Sequence, residues 1–542
     1  MSKLLSVVIT AFVIVSSINA QYISNVSVPD AISPRLTDEK INPSIRYANS
    51  ISPVKLREYM KVLASDSLEG RETGQQGIKY AEEFITKHIS NLGLSAPVPY
   101  RSYKQPVAFT YFKWADTDIF LNGERYRHLY DYLAFPDKNN SVPVIASQEV
   151  VFLGYGIETD KYNDYKKQDV KGKVILINRG EPYDKKGKSY ITKTTEASKW
   201  SDDDMAMKLK VAREKGVALV IIIENDIKKI LGENRNQLLG FKLNLGNLKD
   251  SILPYPNHVH VSTTLAKAII GEKEKDIIKA REKMAKGKNR AVNLPADFAI
   301  NMTKKATLLE GNNILGVIDG KSKKDEYVIV SAHYDHLGKK GDEVFNGADD
   351  NGSGSATLME LSRVLQQAVL EGKRPERSVV FLWFCGEEKG LLGSEYYAEH
   401  PVFPLTQTIV NVNVDMVGRV DDKYKSNKDY LYVIGSDRLS TDLHKVNEDI
   451  NNKFSKLTLD YTYNDEADPN RYYYRSDHYN FAKKGIPAIF FFNGVHKDYH
   501  MTTDDIDKIE FDTMAKRGSH IFHLLWELAN RPDKINVDGV IK

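Results

Sequence analysis

Two stretches decide how this chain folds. The first is Tyr327-Val328-Ile329-Val330-Ser331-Ala332-His333-Tyr334-Asp335. The second is Ser378-Val379-Val380-Phe381-Leu382-Trp383-Phe384-Cys385-Gly386-Glu387-Glu388. Each is a short apolar run with no alternation, as expected of a strand buried on both faces. Between them, Leu358, Leu361, Leu365 and Val369 mark one face of a helix over 355–369. Strand, helix, strand is the pattern of a parallel crossover. Outward from this core, 409–414, 430–434 and 488–492 read as further strands, and 513–529 as a closing helix. The fold class is therefore α/β, with a largely parallel or mixed sheet sandwiched by helices.

Ligands of open α/β sheets bind beyond the carboxyl ends of the strands. Here those ends carry His333 and Asp335, Glu387 and Glu388, and Asp415, with His500 in the loop after 488–492. Asp349 and Asp350 sit in a Gly-rich loop, 346–354, directly before the helix. Singly, each has an ordinary explanation. Paired carboxylates suit a helix start, an Asp caps a helix, and a lone histidine is common at a strand end. Their convergence on one sheet edge is not explained that way. Two histidines with three carboxylates suit zinc. The set is too rich for one tetrahedral ion with an open position, and it fits two ions sharing a bridging carboxylate. A further carboxylate beside a ligand can act as general base, and Asp335 can orient His333 through its other ring nitrogen.

The chain has 542 residues, 41% hydrophobic and 27% charged, which is ordinary globular usage. With Lys+Arg 76 against Asp+Glu 73 the net charge is +3, so no broad basic surface for nucleic acid is indicated. Cys385 is the one cysteine, which excludes an internal disulfide and a thiolate-rich zinc site. At the end of an apolar strand it reads as core. Residues 1–20 carry Lys3, an apolar run from Leu4 to Val15, and a small-residue end at Ala20. This reads as a cleaved signal peptide, too short to span a bilayer. No later segment reads as a membrane span, so the expectation is an exported protein, periplasmic or secreted. Residues 21–50 read as an extended leader with Pro29, Pro34 and Pro43. Helical spacing follows in 52–92, within an N-terminal segment 51–104, with Leu56, Tyr59, Met60 and Leu63 on one face. A second block, 105–300, mixes strands with a charged tract at 225–290 that resists assignment.

The motifs of 312–530 resemble those of the M28 zinc peptidases, the co-catalytic aminopeptidase group. They are 331–338, 347–354, 384–393, 413–416, Arg475-Ser476-Asp477-His478 and 500–505. The resemblance implies a three-layer zinc-exopeptidase fold formed by 51–104 and 301–542. It implies two Zn2+ per chain and peptide substrates. His333, Asp350, Glu388, Asp415 and His500 would be the metal ligands. Asp350 would bridge, with His333 and Asp415 on one zinc and Glu388 and His500 on the other. Glu387 would be general base and acid, Asp335 the partner of His333, and Tyr473 the oxyanion donor. Within 105–300, the stretches 151–157 and 169–174 resemble a protease-associated (PA) domain, implying a smaller β-rich insertion that acts as a lid or as passive packing. Aminopeptidase action is the leading expectation. The alternatives are a carboxypeptidase or dipeptidase using Arg471 or Arg475 as a substrate-binding cation, a glutaminyl cyclase, and a catalytically inactive binding module. The oligomeric state is not readable from the sequence.

Overall fold

A computed structural model describes residues 42–539 apart from 98–100, 116, 138–141, 202–204, 236–237, 239–242, 247–254, 285, 287 and 289. The proposed signal peptide and most of the leader lie outside the described residues. Among the described residues no helix is long and apolar enough to cross a membrane.

The main body is built on a nine-stranded mixed sheet. Four strands at its centre run parallel: Lys323–His333 lies between Arg377–Phe384 and Thr408–Val414, and Ala488–Phe492 follows the latter. Every residue of Arg377–Phe384, Thr408–Val414 and Ala488–Phe492 is buried. Alternate side chains divide between two cores, as strand geometry requires. Val328, Val330 and Ala332 pack with the helices Gly354–Leu370 and Phe511–Asn530. Ile329 packs on the opposite face with Tyr397 and Phe481, from the helices Leu392–Glu399 and His478–Ala482. The result is a three-layer α/β/α sandwich, as the sequence suggests.

A second, eight-stranded sheet occupies the middle of the chain. Its boundaries correct the expected insertion at 105–300. The strand Lys104–Trp114 pairs along its whole length with Lys304–Ile318 and belongs to the large sheet. The inserted sheet runs from Asp118–Leu121 to Val292–Met302. The alternating pattern of 104–114 does not reveal which sheet receives it, because its partner lies far along the chain. Among its described residues the tract 225–290 holds the helices Ile227–Glu233, Thr263–Ile270 and Glu274–Met284, the strand His258–Ser262, and the short strand Leu243–Leu245, which pairs with Lys104–Trp114 in the large sheet.

The leader is also corrected where it is described. Pro43–Ala48 is a helix, not extended chain. Asn42 caps it by accepting from the Ser44 N–H, and Pro43 occupies the first turn, where its missing N–H costs nothing. Ser44 Oγ then meets His523 Nδ1 at 2.7 Å, tying this helix to Phe511–Asn530.

The helix Gly354–Leu370 connects the two decisive strands and is buried for most of its length. Leu361 is fully buried, whereas Leu370, at 78% exposure, faces solvent. Leu361→Ala should therefore cost ~2–5 kcal/mol and Leu370→Ala no more than about 0.5 kcal/mol. Thermal unfolding of the two variants checks this; equal effects would mean the helix is seated differently.

Candidate metal centre

The four parallel strands deliver their carboxyl ends to one edge, and the polar residues follow directly. His333 is the last residue of its strand and is buried. Its Nε2 lies 3.3 Å from Asp415 Oδ1, 3.4 Å from Asp350 Oδ1 and 3.9 Å from Glu387 Oε2. His500 Nε2 lies 3.0 Å from Asp350 Oδ2 and 3.3 Å from Glu388 Oε2. The structure thus brings together His333, Asp350, Glu387, Glu388, Asp415 and His500.

The loop before Gly354–Leu370 separates the roles of its two aspartates. Asp349 is spent on structure. It accepts from the Gly418 N–H at 2.7 Å, the Ser353 hydroxyl at 3.0 Å and the Asn493 amide at 3.0 Å, and it faces His496 Nε2 at 3.1 Å. Asp350 keeps both oxygens for the site. The backbone N–H groups of both residues donate to one oxygen of Asp504, at 3.0 and 3.1 Å, which fixes the loop. Gly347 makes the approach possible. Its φ is +54°, and a Cβ there would collide with the Asp350 carbonyl and the His336 ring.

Charge and burial act against each other here. Burial favours neutral carboxyls, yet hydrogen bonds to His333 and His500 hold Asp350 well below the usual carboxylate range. Burial would lower His500, but Asp350 and Glu388 push it up to about 10. Burial lifts the Glu387 carboxyl well above the ordinary value; His333 opposes this, and Glu388 and Asp415 add to it. Two clusters place their donor atoms within 4.8 Å of one another: His333 with Asp350 and Asp415, and His336 with Asp350 and Glu388. Imidazole nitrogen with carboxylate oxygen is a donor set that fits zinc.

The remaining residues fall differently from expectation. Asp335 does not take the ring N–H of His333 on its carboxylate, which stands 3.8 Å away. The His333 Nδ1–H donates instead to the Asp335 backbone carbonyl at 3.1 Å. The Asp335 carboxylate accepts from the Glu387 N–H at 3.1 Å and from the Thr73 hydroxyl at 3.0 Å. Tyr473 is not among the residues lining the pocket over the candidate ligands. It packs on Arg438, whose guanidinium lies 4.8 Å from its ring. Tyr472 lines the pocket, together with Tyr499, Arg475, Phe490 and Phe492. Arg475 lies over the Tyr472 ring at 4.9 Å and donates to the Tyr499 hydroxyl at 3.3 Å. Arg471 lies over Tyr474 instead, at 4.7 Å. His336 was given no role by sequence reasoning, yet its Nδ1 stands 2.8 Å from Glu388 Oε1. Its position three residues after His333, within the same motif, was the available signal.

The chain is similar to several known aminopeptidases. A probable leucine aminopeptidase of Trichophyton verrucosum is 32% identical over 225 residues, 40% of this chain and 57% of the relative. Aminopeptidase YwaD of Bacillus subtilis is 29% identical over 251 residues, 44% of this chain and 50% of the relative. The chain therefore spans only about half the length of these curated relatives. Among solved structures, an aminopeptidase from Aneurinibacillus sp. strain AM-1 aligns with a TM-score of 0.49 and 18% identity, over 92% of this chain and 98% of that one. BSAP, a zinc aminopeptidase from Bacillus subtilis, aligns with a TM-score of 0.44 and 20% identity, over 90% and 97%. Residues 313–525, which hold all the ligand candidates, match the model of peptidase family M28.

Proposed function

We propose that the protein is an exported zinc aminopeptidase that removes amino-terminal residues from peptides. The observation that carries the reading is the placement of Asp350. Its two oxygens face different histidines, Oδ1 toward His333 at 3.4 Å and Oδ2 toward His500 at 3.0 Å. A carboxylate so divided suits a bridge between two zinc ions, one held by His333 and Asp415, the other by Glu388 and His500. His336 then secures the second oxygen of Glu388. Bound zinc would supply positive charge against which a water loses its proton near neutral pH and a carbonyl is polarised.

The chain's own groups carry the protons. Glu387 takes one from the attacking water and returns it to the leaving amine. Its burial and its carboxylate neighbours give it a raised proton affinity, as that shuttle requires. The phenols available to a developing oxyanion are those of Tyr472 and Tyr499, which line the pocket.

The site is rich in carboxylates, which can hold the cationic α-amino group of a peptide. Arg475 favours a second reading, carboxypeptidase action, because it alone of the two candidate arginines lines the pocket. Export rests on the signal-like residues 1–20. The inserted sheet of 118–302 is read as PA-like and as a cover or packing unit for the peptidase body.

Purified protein should contain about two zinc ions per chain, removed by chelator together with activity and restored by zinc. Elemental analysis giving one ion at full activity would sink the bridged arrangement. Glu387→Gln should keep its metal and lose ~10²–10⁴-fold in turnover, whereas Glu388→Gln should lose metal. Equal metal content in the two variants would overturn this assignment of base and ligand. Mass spectrometry of a digested decapeptide should show stepwise loss from the amino end, with the N-acetylated peptide resistant. Loss from the carboxyl end, abolished by Arg475→Ala, would establish the second reading in its place.

A further inference from the structure

The family match begins at residue 313, but the candidate site is fastened by a segment far upstream of it. After the helix Pro53–Leu63 the chain makes a tight turn through Gly70 and Arg71, both at positive φ, +66° and +51°. Gly70 is obligatory, since a Cβ would meet the carbonyl oxygens of Gly338 and Phe345. The turn delivers two buried side chains to the site, Arg71 at 1% and Thr73 at 2% exposure.

Arg71 spends its guanidinium on backbone carbonyls. It donates to Tyr334 at 2.9 Å, Asn346 at 2.6 Å, Gly347 at 2.9 Å, and Leu63. Tyr334 follows His333, and Asn346 and Gly347 begin the loop of Asp350. Thr73 uses its hydroxyl in both directions. The O–H donates to Asp335 Oδ2 at 3.0 Å, and the oxygen accepts from the Gly386 N–H at 2.9 Å. The other Asp335 oxygen accepts from the Glu387 N–H at 3.1 Å. Thr73 and Asp335 thus grip consecutive N–H groups of the turn that presents Glu387 and Glu388. Outside this grip, Lys389 pairs with Glu72 at 2.7 Å.

We propose that Arg71 and Thr73 are positioning residues of the active site, with Thr73 coupling the end of the His333 strand to the turn that carries Glu387 and Glu388. Neither is among the candidate metal-holding groups or the residues lining the pocket. They set the distance between two loops whose side chains must act on the same atoms, and a displacement of one loop costs zinc affinity and turnover together. The inference rests on the reading of this site as a zinc peptidase centre.

Thr73→Val keeps the shape of the side chain and removes both hydrogen bonds, whereas Thr73→Ser keeps the hydroxyl. Each variant is compared with wild type in zinc affinity by chelator competition, in kcat and KM on leucine p-nitroanilide at saturating zinc, and in Tm. The expected result for Thr73→Val is a ~10–100-fold loss in zinc affinity, in kcat, or in both. KM should stay within about threefold of wild type, and Thr73→Ser should restore the lost quantity. If Thr73→Val does not fold, Thr73→Ala is read by the same criteria. Two results overturn the proposal: zinc affinity and kcat both within about twofold of wild type, or an equal loss in the Val and Ser variants accompanied by a fall in Tm. A zinc-affinity loss rescued by serine, in a protein that leaves leucine p-nitroanilide intact, upholds the positioning role and removes the aminopeptidase reading instead.

Discussion

Five carboxyl groups, those of Asp335, Asp350, Glu387, Glu388 and Asp415, converge in the interior at one edge of the sheet, and the rest of the structure answers to that convergence. Buried carboxylates without compensation are costly. The fold compensates in three ways. Imidazoles of His333, His336 and His500 sit among them. Backbone N–H groups are aimed at them, as Glu387 N–H is at Asp335. A bound cation would close the remaining balance, and the donor set suits zinc. The four-strand parallel centre is what makes the arrangement possible, because parallel strands expose all their carboxyl ends on one side.

The same constraint explains why neighbouring residues in the sequence diverge in role. Asp349 and Asp350 are chemically alike, yet the Gly347 turn directs one toward the Gly418, Asn493 and His496 side of the loop and the other toward His333 and His500. Glu387 and Glu388 divide similarly. Glu388 meets two imidazoles, while Glu387 stands 3.9 Å from one.

What the sequence made legible follows from what repeats. The strands at 327–330, 378–384, 409–414, 430–434 and 488–492 were readable because burial on both faces leaves an unbroken apolar run. The helix at 355–369 was readable from its spacing. The metal-ligand candidates were readable because His333, Glu388 and Asp415 stand at or just after strand ends, Asp350 sits in a Gly-rich loop before a helix, and His500 lies in a loop after a strand. The failures are places where no period exists. Tyr472, Tyr473 and Tyr474 form one tight turn, and a shift of one residue there rotates a different ring toward the pocket. The leader prolines suggested extended chain, but Pro43 follows a capping Asn and starts a helix. Arg71 and Thr73 are single polar residues in a loop, and nothing in their spacing announces that all their partners but Leu63 lie more than two hundred residues onward.

The inserted sheet is an internal control on this argument. Its strands Val142–Phe152, Val174–Asn178, Leu219–Glu224 and His258–Ser262 also run parallel, so their carboxyl ends also gather at one edge. Polar residues gather there too. Glu224 is buried at the end of its strand, but Arg179 reaches it at 2.5 Å and His260 at 2.7 Å. Asn178 accepts from Arg281 at 3.0 Å. There the buried carboxylate is met by an arginine of the chain itself. Parallel strands therefore supply a place for a site but not its chemistry, which in the large sheet comes from an excess of buried carboxylates over the protein cations that reach them. By this criterion the large-sheet edge is suited to a charge brought in from outside the chain, whereas Glu224 of the inserted sheet already has its partner in Arg179.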